Sequence, residues 1–346
     1  MGKKVFVAPV YGVELTDAVS EEFPLIRTLL ISKEKLRRKR KYFGIPEQIS
    51  RLPAFQRDLF FDTSETFAIV LHDDRVSDET IRNRSLGILH NELALLSLSC
   101  LQHKSRGEIL APTAMNPTGI WVDRYAINRV VENQMSGSLH IGALTFPHQL
   151  LTLDHRWKTF QRENFFFSLL KILCNQGRTR VAPSWRKDLL RACILVGSGQ
   201  SCNDLAQAFL LNMIAFELLL TDSEDGKYLD ILPKRVDAFI GWLADWKSDS
   251  FASKIQQVYK KRCEYVHQGI GQNITVEDLL FTDLLIFNII LNIVSFPKLF
   301  NRKSDLIGFS NKLEAEKVLG ITRKSMGLKF RRITRSTEEI KKFFNA

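Results

Sequence analysis

The sequence predicts an α+β chain, with a strand-containing N-terminal domain followed by an all-helical bundle. Two patterns lead to this expectation. Up to about residue 154, short β-branched and aromatic runs lie between turn residues, as strands do. Beyond it, apolar residues recur every three to four positions over long stretches, as in helices. The size agrees, since 346 residues suggest two domains, or three. Hydrophobic residues make up 45% and charged residues 25% of the chain. That usage sets aside a disordered or collagen-like polymer and leaves apolar material for more than one core.

In the N-terminal domain, taken as 1–154, residues 4–10 (KVFVAPV) alternate as a strand does. Residues 67–71 (FAIVL) form a short buried strand ending in a turn at 72–74. Residues 138–146 (SLHIGALTF) form another. Leu89, Leu93 and Leu96 share one face of a helix over 88–101. Pro112, Pro117 and Gly119 then punctuate a loop region.

The bundle is taken as 155–300. One helix is expected over 160–173, and a second from 184 or 185 to 196, ended by Gly197-Ser198-Gly199. Residues 205–220 are apolar almost all round, so this helix belongs at the centre. Pro233 opens the next helix, because proline suits a first turn. Asp249 and Ser250 offer a cap for 251–267, and Gly269 stops it. Thr275 and Asp278 resemble a capping box ahead of 279–296. Short connections imply antiparallel neighbours. Residues 301–346 read as a basic extension. In it, Ser336 and Glu339 cap a short terminal helix with Ile340, Phe343 and Phe344 on one face.

Several function classes are disfavoured. The N-terminus has no long apolar core of a secretory signal. Five dispersed cysteines without C-x-x-C spacing fit a reducing cytoplasm and no metal site. Residues 279–296 are long enough to cross a membrane, but Asp283, Asn288 and Asn292 interrupt them and no basic anchor pair flanks them. A buried bundle helix is the better reading, with no membrane. Gly197-Ser198-Gly199 lacks the Gly-Lys-Ser/Thr of a phosphate loop, and no nucleotide cofactor is expected. Asp222, Glu224 and Asp225 have no histidine beside them and read as a solvated loop.

The net charge is +11, from 49 basic and 38 acidic residues, which points to an anionic partner, nucleic acid first. It is concentrated. Residues 33–41 carry seven basic and one acidic side chain, and 323–342 carry eight and two, so each run has net +6. Residues 184–296 are net −3. Phosphate contacts are therefore expected at Arg37, Arg38, Lys39, Arg40 and Lys41, and at Lys329, Arg331, Arg332 and Arg335.

The segment 251–269 (FASKIQQVYKKRCEYVHQG) is the informative one. Phe251, Ile255, Val258, Tyr259 and Val266 form an apolar stripe at helical spacing, and Arg262 falls within it. An arginine on a packed face needs an anionic partner. Glu217, inside an apolar run, needs a cation in turn. His267 follows five residues after Arg262, about 140° round an ideal helix. The two share a site if the helix ends at His267 or the long arginine reaches across. On the residues alone, the leading reading is a structural Glu217–Arg262 pair, with His267 satisfying helix-end carbonyls.

Arg262-Cys263-Glu264-Tyr265-Val266-His267 also has the R-x4-H form of the R-x(4–6)-H motif of HEPN domains. The surroundings resemble the Apea-like branch. They comprise Tyr259 ahead of Arg262, Val266-His267, an upstream helix bearing Glu217, and a long apolar helix downstream. The likeness covers about a third of the chain. Cys263 stands where the family often has a small polar residue, and Gln268 delays the glycine by one place. The resemblance implies a metal-independent endoribonuclease. In it Arg262 stabilises phosphate charge and His267 acts as general acid or base, supported by Glu217, Tyr259 and Cys263. It further implies a homodimer through the HEPN bundle, and a part in abortive-infection defence with a phage-derived trigger at the N-terminal domain. The alternative is a non-catalytic HEPN-like module for dimerisation and nucleic-acid binding.

Overall fold

The computed structural model describes residues 3–10, 12–16, 21–43, 65–73, 77–101, 125–131, 134–140, 151–176, 181–202, 204–222, 225–240 and 248–320. The class is α+β, with an antiparallel sheet near the N-terminus and helices beyond it. The chain divides into two compact units. The first holds 1–97 and 109–162, and the second holds 98–108 and 163–346.

The first unit is built on a six-stranded antiparallel sheet. Its strands are β1 (Lys3–Val10), β3 (Glu22–Pro24), β4 (Thr28–Ser32), β5 (Thr66–Asp73), β6 (Tyr125–Val131) and β7 (Gln134–His140), in the order β3-β4-β5-β1-β6-β7. Strand β2 (Val13–Leu15) pairs in parallel with β8 (Leu151–Leu153). On one face, Val5, Val7, Ile31, Phe67 and Ile69 meet Leu36 of helix α1 (Lys33–Lys39) and Phe43. The alternate residues Phe6, Ala8, Leu30, Ala68 and Val70 are buried as well, so both faces are covered. The strand expected over 4–10 is therefore present, but the alternation expected of it is not, since Val5 to Val10 are buried on both faces. His72 shares the second face, and its Nε2 lies 2.6 Å from Ser85 Oγ of helix α2 (Asp78–Ser97). Glu92 of α2 accepts from the backbone N–H groups of Arg27 and Thr28 at 2.8 and 2.9 Å, which pins the β3–β4 turn.

Two expectations are corrected here. Helix α2 begins ten residues before the expected 88, because Ser77 Oγ accepts from Thr80 N–H and starts the helix over polar turns. The helix expected over 160–173 is two, α3 (His155–Glu163) and α4 (Phe166–Leu173). Asp154 caps the first by accepting from Trp157 N–H at 2.7 Å, and the break falls where the units divide. The final part of the strand expected over 138–146 lies outside the described residues.

The second unit is a bundle of α4, α5 (Pro183–Gln200), α6 (Leu205–Leu220), α7 (Tyr228–Ile240), α8 (Ser248–Gln268), α9 (Val276–Ser295) and α10 (Lys303–Val318). Helix α5 does not stop at Gly197-Ser198-Gly199. A Cβ on Gly199 would sit 3.3 Å from Ala208 O, so the glycine is there to let α6 come close. Helix α7 starts five residues ahead of Pro233, which lies inside it near its first turns. Helix α10 was expected only as basic extension. It is part of the bundle, burying Leu306, Phe309 and Leu313, with Phe309 edge-on to Phe300 at 5.3 Å. The short helix expected after Ser336 lies outside the described residues.

Helix α9 has the length and apolar composition of a membrane span, yet 89% of that window is buried within the protein. Asp283, Asn288 and Asn292 are turned inward, and the first two are hydrogen-bonded there, whereas both polar atoms of the Asn292 amide are buried without a partner among the described residues. Asp283 accepts from Asn212 Nδ2 at 2.8 Å and Gln200 Nε2 at 3.2 Å. Asn288 Nδ2 donates to Leu284 O at 2.8 Å. Phe287 is fully buried and edge-on to Phe165 at 5.2 Å.

Phe287→Ala is therefore expected to destabilise the bundle by about 3–5 kcal/mol in denaturant unfolding. Gly308 is helical and exposed, and a Cβ there would meet nothing within 4 Å. Gly308→Ala should instead stabilise by about 0.5–1 kcal/mol.

Candidate functional site

The site lies on α8 where it meets α6. Helix α8 ends at Gly269, which takes the left-handed φ of 71°. Gly269 N–H donates to Tyr265 O at 3.0 Å, so the last turn closes as a glycine-capped helix. Ile255, Val258 and Tyr259 are buried as the stripe requires. Val266, expected on the same stripe, is 47% exposed, because the final turn projects beyond the neighbouring helices.

Arg262 and Glu217 meet. Arg262 Nη2 donates to Glu217 Oε2 at 2.9 Å, and their side chains are 17% and 16% exposed. The guanidinium also stands over the Tyr259 ring, 5.7 Å from its centre. Burial, and then the negative charge of Glu217, push the Tyr259 phenol up to about 12. Tyr259 is therefore a neutral wall of the site at physiological pH. Among the described residues, Glu217 Oε1 and Arg262 Nε are buried without hydrogen-bond partners. Cys263 is a free, half-buried thiol on the next position.

His267 is exposed on the last turn, and α8 continues one residue beyond it. Among the described residues, no hydrogen bond or ion pair joins it to Arg262. The structure thus brings Glu217, Tyr259 and Arg262 together, and leaves His267 facing solvent at the helix end.

A second cluster of charges was not anticipated. Asp278, buried on the first turn of α9, takes Lys254 Nζ at 3.0 Å and Lys261 Nζ at 2.5 Å. Its capping box with Thr275 is formed as expected. Burial alone would raise the Asp278 carboxyl. The Lys261 ammonium, the Thr275 N–H and Lys254 together outweigh it and lower the pKa to about 2. The clue in the sequence was the seven-residue spacing of Lys254 and Lys261, which puts both on one side of α8.

The basic run 33–41 is partly neutralised by its own fold. Arg38 pairs with Glu21, Lys39 with Glu22 at 2.6 Å, Lys35 with Glu21 at 3.6 Å and Lys33 with Glu65 at 3.5 Å. Arg37 and Lys41 are exposed and Arg40 half-buried, and Tyr42 beside them is 82% exposed. Lys329, Arg331, Arg332 and Arg335 lie outside the described residues. Asp225 is not a free loop carboxylate. It pairs with the buried Arg235, which also donates to Leu220 O at 2.6 Å, and that arginine lowers its pKa. Among the described residues no group of three potential metal ligands occurs. Comparison with known proteins returns no matching family, no matching curated protein and no matching solved structure.

Two outcomes follow from this geometry. Arg262→Met should destabilise by about 3 kcal/mol, since Glu217 is left buried and unpaired, whereas Arg262→Met with Glu217→Leu should recover most of the loss. A chemical-denaturation double-mutant cycle reads this directly. Asp278 has a depressed carboxyl, so its stabilisation is present above the ordinary value of 3.8 and lost as pH falls towards about 2. Acid unfolding of Asp278→Asn should accordingly lack the loss of stability that the native chain shows between those values.

Proposed function

We propose that the chain is a HEPN-type endoribonuclease, with Arg262 and His267 acting at a cleft between two copies. The reading rests on the Arg262–Glu217 pair combined with the R-x4-H spacing. A carboxylate and an aromatic ring hold the arginine fork, while part of its side chain still reaches solvent. Within one copy no hydrogen bond or ion pair joins His267 to this fork, and His267 is exposed. A second copy placed against the last turn of α8 would supply a histidine to face it, and Val266 and Ile270 there are 47% and 39% exposed.

In the reaction, the ribose 2′-oxygen forms a bond to phosphorus as its proton passes to a base, and the bond from phosphorus to the 5′-oxygen breaks. That oxygen takes up a proton, leaving a 2′,3′-cyclic phosphate. His267 suits the proton transfers, and Arg262 the charge that gathers on the non-bridging oxygens. Arg37, Arg40 and Lys41, together with the basic residues of 323–342, would hold the RNA backbone. The N-terminal unit would keep the nuclease quiet until a phage-derived trigger arrives, giving an abortive-infection role in the cytoplasm.

Purified wild type incubated with total RNA in excess chelator should produce cyclic-phosphate ends, and His267→Ala should lose at least about a hundredfold in rate. Expression toxicity in cells, abolished by His267→Ala, checks the same point for a latent enzyme. RNA binding and dimerisation without cleavage, unchanged in His267→Ala, would leave the non-catalytic module as the correct reading.

A further inference from the structure

Two successive cations on α8 are tied to two different helices. Lys261 reaches Asp278 on α9, and Arg262 reaches Glu217 on α6. Neighbouring residues of a helix point about 100° apart. The two ion pairs therefore grip α8 from two directions and define its roll about its own axis. Lys254, about two turns before Lys261 on the same side, brings a second ammonium to the same carboxylate. Asp278 also accepts from the Thr275 N–H and the Thr275 hydroxyl, both at 3.0 Å, and its side chain is 0% exposed. A buried carboxylate with four donors is a fixed point, unlike a solvated surface pair.

We infer that Asp278 is a positioning residue. By holding Lys254 and Lys261 it sets the roll of α8, and so the direction in which Arg262 and His267 face. The catalytic consequence rests on the ribonuclease reading, while the grip on the helix does not. Without Asp278, α8 is held by the Glu217 pair and by Ile255, Val258 and Tyr259, whose apolar contacts carry little directional preference. A roll of about 20° at a side-chain radius of about 5 Å moves a group by roughly 2 Å. Displacements of that size cost large factors in rate when the reacting groups must align.

The test separates positioning from plain stability. Asp278→Asn keeps an acceptor for the cap and removes the charge that holds the lysines. Lys254→Met with Lys261→Met removes the same grip and leaves the cap intact. Leu313→Ala, a core truncation on α10, is the control that lowers stability without a change on α8, and the melting temperature of every variant is measured alongside. Two quantities are measured in each full-length protein. One is iodoacetamide alkylation of Cys263 relative to Cys202, by peptide mass mapping; both are half-buried cysteines outside any disulfide. The other is kcat and KM for RNA cleavage in chelator. Both grip variants should raise the Cys263 rate relative to Cys202 and lower kcat about tenfold with little change in KM, while Leu313→Ala does neither. An unchanged alkylation ratio in both grip variants overturns the inference. So does a kcat loss that Leu313→Ala shares in proportion to its stability. If the wild type cleaves no RNA, the ribonuclease reading falls by itself, and the alkylation ratio alone upholds or overturns the grip.

Discussion

A helix that is apolar on every side has to be enclosed, and α9 imposes that requirement on the whole second unit. From Asp278 to Val294 nearly every residue of it is buried. Enclosure brings α4, α6 and α7 onto it, and the few polar groups inside then decide how these helices register. Asp283 is reached by amides from α5 and α6 together, and Asn212 also donates to Thr282 at 3.1 Å. A buried carboxylate tolerates few arrangements of its donors, so three helices are fixed relative to one another. The site on α8 lies at the margin of this rigid centre, where α6 and the start of α9 each present a carboxylate.

That position explains why α8 carries both an apolar stripe and a row of cations. Ile255, Val258 and Tyr259 seat the helix against the enclosed core. Lys254 and Lys261 flank the stripe and Arg262 lies within it, and all three meet acids that the core helices hold still. The last turn then runs past its neighbours, and His267 emerges with Val266 and Ile270 exposed around it. Polar specificity and open surface are thus adjacent on one helix, within a single turn of each other.

What could be read from residue order was what depends on local period. Helix α6, the glycine stop at Gly269, the Thr275 capping box and the inward asparagines of α9 all have short-range signatures. The pairing of Glu217 with Arg262 was legible too, because Glu217 is a lone charge in an apolar run and Arg262 falls on an apolar stripe at helical spacing. The misreadings share another origin. Gly199 looked like a helix stop because its reason for being there, the approach of α6, is a tertiary contact. Two of the acids that partner α1 lie 17 residues earlier, at the start of β3, and only the hairpin fold brings Glu21 and Glu22 back onto Arg38 and Lys39. Asp278 was recognised as a cap, but its second task depends on two lysines one connection away.

The net charge of +11 now divides differently between its two concentrations. The run 33–41 is formally +6, but Glu21, Glu22 and Glu65 lie against it and offset part of that charge. Lys33, Lys35, Arg38 and Lys39 are engaged at home, and paired cations release fewer counterions from a nucleic acid than unpaired ones do. The run 323–342 keeps its full +6 by sequence, directly after a helix that belongs to the bundle. On the ribonuclease reading, the helices within 184–296, net −3, would add little long-range attraction for RNA. Backbone affinity would then come mainly from the segment that follows α10. Selection of one phosphate would be left to the short-range geometry of Arg262 and its fixed partners, where one ångström matters more than total charge.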